Sequence, residues 1–342
     1  MHPLYLEDLE QACRDLGEVG ALRGRRVLVT GVTGMIGACL VDALSLLNER
    51  RGLGMHIVGV SRHPERFADR FPGAELLAAD LTRPDPALPE ADLIVHAASN
   101  AHPAAFSADP VGTMLCNLRG TEALLEQLRR AGHGRLLFVS TGEIYGDNPS
   151  ITGGFSETDF GRVDPMNPRA CYPESKRAAE TLCASYAAQY GVDALVARLS
   201  YVYGPTLSEA NTRADAQFLR KALAGEDIVL KSEGTQVRTY TYVTDAIAGL
   251  LTLLLRGGRG EAYNVASRLG TVSIRGYAET LAELAGVGVR FELPSEQERR
   301  GYSAVSHAVQ RGDKLEALGW TPRRDIREGL RRTLAVRRGG FE

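Results

Sequence analysis

Short runs of consecutive apolar residues along this chain alternate with longer stretches in which apolar positions recur every three or four residues. The short runs read as strands buried on both faces of a parallel sheet, the longer stretches as helices that cover it. Val27 to Val29, Met55 to Val60, Glu75 to Ala79, Leu93 to Val95 and Arg135 to Ser140 make five such strands. Helical spacing fills residues 3 to 22 (Leu4, Leu6, Leu9, Leu16), then the stretch marked by Ile36, Leu40, Ala43, Leu44 and Leu47. It returns from Pro110 to Ala131, where Gly132 and Gly134 end it. Strand and helix in this alternation imply an α/β fold built on a doubly wound parallel sheet with right-handed crossovers.

Thr141 to Arg169, rich in Gly, Pro, Asn and Asp, reads as a long connection, and inside a compact domain such a connection is usually functional. Past Ser200 the elements shorten: a helix near Arg213 to Ala224, strands near Ile228 and Tyr240, and helices at Val243 to Leu255 and Ile274 to Ala285. The expected division is an N-terminal helical extension (1–24), a domain that carries the parallel sheet (25–199) and a smaller C-terminal lobe (200–342).

The first strand runs straight into Gly31, Gly34 and Gly37. Gly31 permits the tight turn, Gly34 lets backbone approach a pyrophosphate, and Gly37 lets the new helix pack on the sheet. The first helical residues, Met35 and Ile36, then offer free N–H groups to an anion. Strand, glycine triplet and apolar helix in this order predict a Rossmann-type dinucleotide site. The second strand ends in Ser61-Arg62, where an acid normally holds the ribose of NAD. Its absence leaves two options, NADP or NAD held without that contact, and Arg62 also reads as a solvated loop residue. Strand ends of such a sheet face the ligand, which places Asp80-Leu81 and Ala97-Ala98 along the cofactor, although Asp80 also suits a helix cap.

Composition narrows the partners. A net charge of −2 with scattered arginines offers no footprint for nucleic acid. The five cysteines contain no C-x-x-C pair and the histidines no ligand spacing, so the expectation is a reducing cytoplasm and no metal site. No apolar run has the length to cross a bilayer.

The candidate chemistry follows the fifth strand. Ser140-Thr141-Gly142-Glu143 leaves it, and Tyr172 and Lys176 lie four apart at the start of the next helix, hence on one face. A lysine cation beside a phenol, together with a positive nicotinamide, lowers the phenol's pKa toward use as a base, and Thr141 can share the same substrate oxygen.

These residues resemble the extended short-chain dehydrogenases/reductases that modify nucleotide sugars. The markers are T-G-V-T-G-M-I-G, H-A-A-S, Asn117 with Gly120-Thr121, S-T-G-E-I-Y-G, Y-P-E-S-K, R-L-S-Y-V-Y-G-P and R-T-Y-T-Y-V-T-D. The resemblance implies Thr141, Tyr172 and Lys176 as catalytic hydroxyl, base and supporting lysine, with Lys176 also on the nicotinamide ribose. It implies Asn117 among the cofactor contacts, Arg238 on the substrate pyrophosphate with Arg213 assisting, and a homodimer pairing the helices near 110–131 and 173–190.

Glu143 stands where nucleotide-sugar 4,6-dehydratases carry the second of an Asp-Glu pair, and the Asp position is Gly142. The stretch Asn167-Pro168-Arg169-Ala170-Cys171-Tyr172 looks most like UDP-glucuronate decarboxylases, which need no acid for a leaving hydroxyl. Tyr201, in place of an Asn, departs from the family pattern, as do His307 and Arg311 in place of Arg and Asp. The expected activity is oxidation at C4 with bound NAD(P) followed by decarboxylation. The alternatives are 4-epimerisation, which leaves Glu143 without a task, 4,6-dehydration, an NADPH ketoreductase, and a non-catalytic dinucleotide sensor.

Overall fold

The computed structural model describes residues 1–83, 86–292 and 307–340. Helix α1 (Pro3–Asp15) opens the chain, followed by β1 (Arg26–Thr30), α2 (Met35–Arg51), β2 (His56–Ser61), β3 (Glu75–Ala78) and β4 (Leu93–His96). The short α3 (Pro103–Ala108) leads into α4 (Pro110–Ala131), β5 (Arg135–Thr141), α5 (Cys171–Tyr190) and β6 (Asp193–Leu199). Then come β7 (Tyr201–Tyr203), α6 (Ala214–Leu223), β8 (Ile228–Leu230), β9 (Val237–Tyr242), α7 (Val243–Arg256) and β10 (Ala262–Val265). After β11 (Thr271–Ser273) and α8 (Ile274–Ala285), a last long helix spans Ile326–Arg338.

Seven strands form one sheet in the order β10-β6-β5-β4-β1-β2-β3, every neighbouring pair parallel. Alternate residues of each strand face opposite ways. Val27 and Val29 pack with α1, α2 and α7 on one face, while Leu28 packs with α4 and α5 on the other. The strand order turns back between β1 and β4, and a crevice opens there at the carboxyl ends of the strands.

Two elements depart from the sequence reading. Helix α1 stops at Asp15 rather than continuing to residue 22, because Gly17 takes φ +65° and breaks the spiral, leaving a separate 3-10 turn at Gly20–Leu22. Helix α3 was not expected: with six residues and one buried apolar side chain, Phe106, it is too short to show a period.

The later chain builds a smaller sheet, with β9 between β11 and the His307–Ala308 strand and β7 paired to β9, beside a β8 pair with Val289–Phe291. Its core stacks Tyr203, Tyr240, Tyr242 and Tyr277 against α6, α8 and the last helix. Helix α1 ties the two layers together: Tyr5 donates to Asp42 of α2 at 2.7 Å, and buried Asp8 accepts from Tyr242, Arg324 and Arg332 at about 3 Å.

Candidate active site

A crevice of about 800 Å³ runs along the carboxyl ends of the strands, bounded on its far side by residues of the smaller lobe. Its first wall is the glycine turn. Gly31 adopts φ +76°, and a Cβ there would lie 2.8 Å from the backbone of Ala98. A Cβ at Gly37 would overlap the carbonyl of Gly31, so helix α2 sits on the turn with no room for a side chain. Gly34 is the N-cap of α2 and brings no side chain to satisfy the first-turn N–H groups, which face the crevice with Met35 and Ile36. The turn has the close backbone approach and free N–H groups that a diphosphate requires, so the residues present fit a dinucleotide.

Ser61, Arg62, Asp80, Leu81, Ala97 and Ala98 continue the same wall. Ser61 Oγ accepts the His63 N–H at 3.0 Å, whereas the Arg62 side chain is exposed along the crevice. Asp80 Oδ1 accepts from the Thr82 N–H and hydroxyl, and the backbone bond above all holds its carboxyl below the usual range. Asn117 lies behind the wall: it is fully buried and donates to Ser175 Oγ at 2.9 Å.

At the deep end, the last residue of β5 and the first turn of α5 meet. Tyr172 is buried, its ring stacked on Phe106 at 5.5 Å, and the Thr141 hydroxyl is near enough to act on its phenol. Burial, then the nearby Glu143 charge, push the Tyr172 phenol well above its ordinary pKa, and the Thr141 hydroxyl opposes them only in part. The protein alone therefore does not make a phenolate; the lowering expected from the sequence needs the positive charge of a bound oxidised nicotinamide. Lys176 donates to the Val139 carbonyl at 2.7 Å and lies 4.6 Å from the Phe138 ring centre. Burial pulls its ammonium down to about 8, with Cys116 and Glu180 acting the other way.

Glu143, on the 3-10 turn Gly142–Tyr145, has Arg169 at 3.7 Å. Between it and Thr141 is Gly142, and here sequence reasoning missed a partner. Gln310 arrives from the far end of the chain, buried and bonded through its amide to Asn264, and its Oε1 fills the space that a side chain at 142 would occupy. The missing carboxylate at 142 was the one sequence signal that something else stands there.

Arg213 lines the crevice, donating to the Val202 carbonyl and pairing with Asp215 at 3.2 Å. Burial works against its charge, and Asp215 with the neighbouring tyrosines outweighs that penalty. Arg238 stands one layer back, its guanidinium 4.4 Å from the Tyr201 ring centre, and Tyr201 forms the surface in front of it. Among the described residues no cluster of His, Cys, Asp and Glu could hold a metal ion, and no helix is long and apolar enough to cross a membrane.

Residues 27–266 match the model of the NAD dependent epimerase/dehydratase family. The chain is 33% identical over 311 residues to UDP-glucuronic acid decarboxylase 6 of Arabidopsis thaliana, covering 89% of this chain and 86% of that protein. It is 34% identical to UDP-glucuronic acid decarboxylase 1 of Xenopus tropicalis, covering 91% of this chain and 71% of that one. Among solved structures, UDP-glucose 4-epimerase of Thermus thermophilus in complex with NAD superposes with a TM-score of 0.75 at 28% identity, covering 92% of this chain and all of that one. With the glycine cradle, the Tyr172 site and these relatives together, the chain belongs to the NAD-dependent epimerase/dehydratase family of nucleotide-sugar-modifying enzymes.

Proposed function

We propose that this enzyme decarboxylates UDP-glucuronate, using Tyr172 as base, Thr141 as the hydroxyl that shares the sugar O4, and Lys176 as the supporting cation. NAD, the cofactor of the family, supplies the hydride acceptor for C4 and lies along Gly31 to Gly37, Ser61-Arg62, Asp80-Leu81 and Ala97-Ala98, with Asn117 bracing that wall. Tyr172 removes the O4 proton as C4 is oxidised. The C4 ketone then stands β to the C6 carboxylate. The C5–C6 bond breaks, carbon dioxide leaves, and the electron pair enters the C4 carbonyl as an enolate. C5 next takes a proton, for which Glu143 is the nearby carrier.

The observation that carries this reading is the pair at 142 and 143. Glu143 stands beside Tyr172, and Gln310 fills the place of a second carboxylate. Dehydration requires an acid for the departing C6 hydroxyl, while decarboxylation does not. The similarity to two UDP-glucuronic acid decarboxylases supports the same reading.

The lobe formed mainly by 200–342 is assigned to the nucleotide sugar, with Arg213 and Arg238 toward its diphosphate. The 25–199 domain is assigned to NAD, and 1–24 is its helical extension. We assign a homodimer through α4 and α5, which expose Val111, Met114 and Tyr190. A reducing cytoplasm suits the five free cysteines. The test is incubation with UDP-glucuronate and NAD, followed by mass spectrometry of the nucleotide sugar. Loss of carbon dioxide is expected. Unchanged mass with inverted C4 would replace the reading by epimerisation.

A further inference from the structure

Several cations line the crevice, and they differ in how their hydrogen-bonding capacity is spent. Lys176 is committed to the Val139 carbonyl, and Arg213 to Val202 and Asp215. Arg62 lies with the glycine cradle at the cofactor end. Arg162 also lines the crevice and, like Arg62, is exposed with no side-chain hydrogen bond among the described residues; Arg169 differs from both in lying against an aromatic ring beside Glu143. Its guanidinium makes no hydrogen bond among the described residues; it rests 5.7 Å from the Phe106 ring centre and stands 3.7 Å from Glu143. Phe106 in turn stacks on Tyr172, so the one ring touches both the guanidinium and the phenol. The backbone beneath is fixed, because Asn167 Oδ1 accepts the Arg169 N–H at 3.0 Å.

This arrangement places a half-exposed planar fork with unspent donors beside the oxygen position that Thr141 and Tyr172 define. In a uronic acid the carboxyl carbon is two bonds from the carbon oxidised there. A fork of this kind matches a carboxylate bidentately, and stacking on an aromatic ring holds it with little entropy left to lose.

We propose that Arg169 binds the C6 carboxylate of the sugar, and so selects uronic acid substrates over neutral hexoses and pentoses. The inference rests on the decarboxylase reading above. After carbon dioxide leaves, the fork holds no substrate group, and the product loses its strongest contact on this side of the crevice.

UDP-glucuronate and UDP-xylose differ only by the carboxylate, which gives the test. UDP-glucuronate and UDP-xylose are titrated calorimetrically into the NAD-loaded enzyme and its Arg169→Gln and Arg169→Lys variants. The expected result is a roughly 10- to 100-fold weaker Kd for UDP-glucuronate in Arg169→Gln, with UDP-xylose unchanged. Arg169→Lys, which keeps the charge without the fork, is expected to fall between the two and stands in should the Gln variant not fold. Equal weakening of both ligands, or of neither, overturns the carboxylate site. The decarboxylase reading fails separately, by absence of carbon dioxide release in the wild type, and the binding comparison still judges Arg169 in that event.

Discussion

Gln310 occupies the room above Gly142: a Cβ on that glycine would run into the Gln310 amide oxygen, although 168 positions of sequence separate them. Gln310 cannot swing away freely, since its amide also meets Asn264, which accepts from Tyr145 at 2.6 Å. Gly142→Asp is therefore expected to destabilise by about 1–3 kcal/mol through overpacking, and to yield no dehydrated product. Gln310→Gly in the same chain should recover most of that loss. A double-mutant cycle by urea unfolding reads the coupling; strict additivity would show that the two positions do not compete for space.

Tyr172→Phe is expected to lower turnover by roughly 10²- to 10⁴-fold while NAD remains bound. Glu143→Gln has a second signature. The Glu143 charge raises the Tyr172 pKa, so its removal lowers that pKa and shifts the rising limb of kcat/KM toward lower pH. A pH–rate profile that keeps its rising limb in place would refute the electrostatic link.

Asp8 lies fully inside the protein with two guanidiniums on one oxygen. Asp8→Ala leaves Arg324 and Arg332 without their buried counter-ion and is expected to cost about 3–5 kcal/mol in urea unfolding. NAD affinity should change little, since α1 lies away from the crevice.

His96, buried within β4, has its pKa pulled down to about 3, by burial first and then by Lys176, and its Nδ1 meets the Thr30 hydroxyl at 2.7 Å. Unfolding returns the ring to an ordinary value near 6.5. Below that pH the unfolded chain binds one more proton than the folded one, so stability falls as pH drops from about 6.5 toward 3, by up to about 1.4 kcal/mol per pH unit. His96→Asn, which keeps an acceptor for Thr30, should lose that one-proton slope in denaturation curves taken between pH 6 and 4.

Local signals made much of the fold readable. Helix α4 begins and ends where expected because Asp109 caps the Gly112 N–H and Gly132 turns left-handed at the other end. The positions of Thr141 and Tyr172 were legible for the same reason, one at a strand end and one in a helix's first turn. Features made by distant contacts were not. Ala262–Val265 is four residues long and contains Asn264, so it shows no strand rhythm, yet it pairs in register with β6. The Gln310–Gly142 contact and those of Phe106 with Arg169 and Tyr172 exist only once β5, α3 and the late chain have met. Tyr201 in place of Asn looked like a loss; in the folded protein its ring carries the Arg238 guanidinium.

The clasp between α1 and the last helix sets the order in which this protein can be completed. Asp8 and Arg332 lie 324 positions apart, so a growing chain makes the first long before the second. Until the last turns emerge, α1 is an amphipathic segment whose carboxylate has no counter-ion and whose apolar side has only part of its covering. The outer strand β10 arrives late as well, after the tyrosine-rich lobe has begun to form. Until then the sheet lacks its outer strand β10 and α1 lacks its partners on the last helix. The clasp can close only after Arg332 has been made, well past the first two hundred residues.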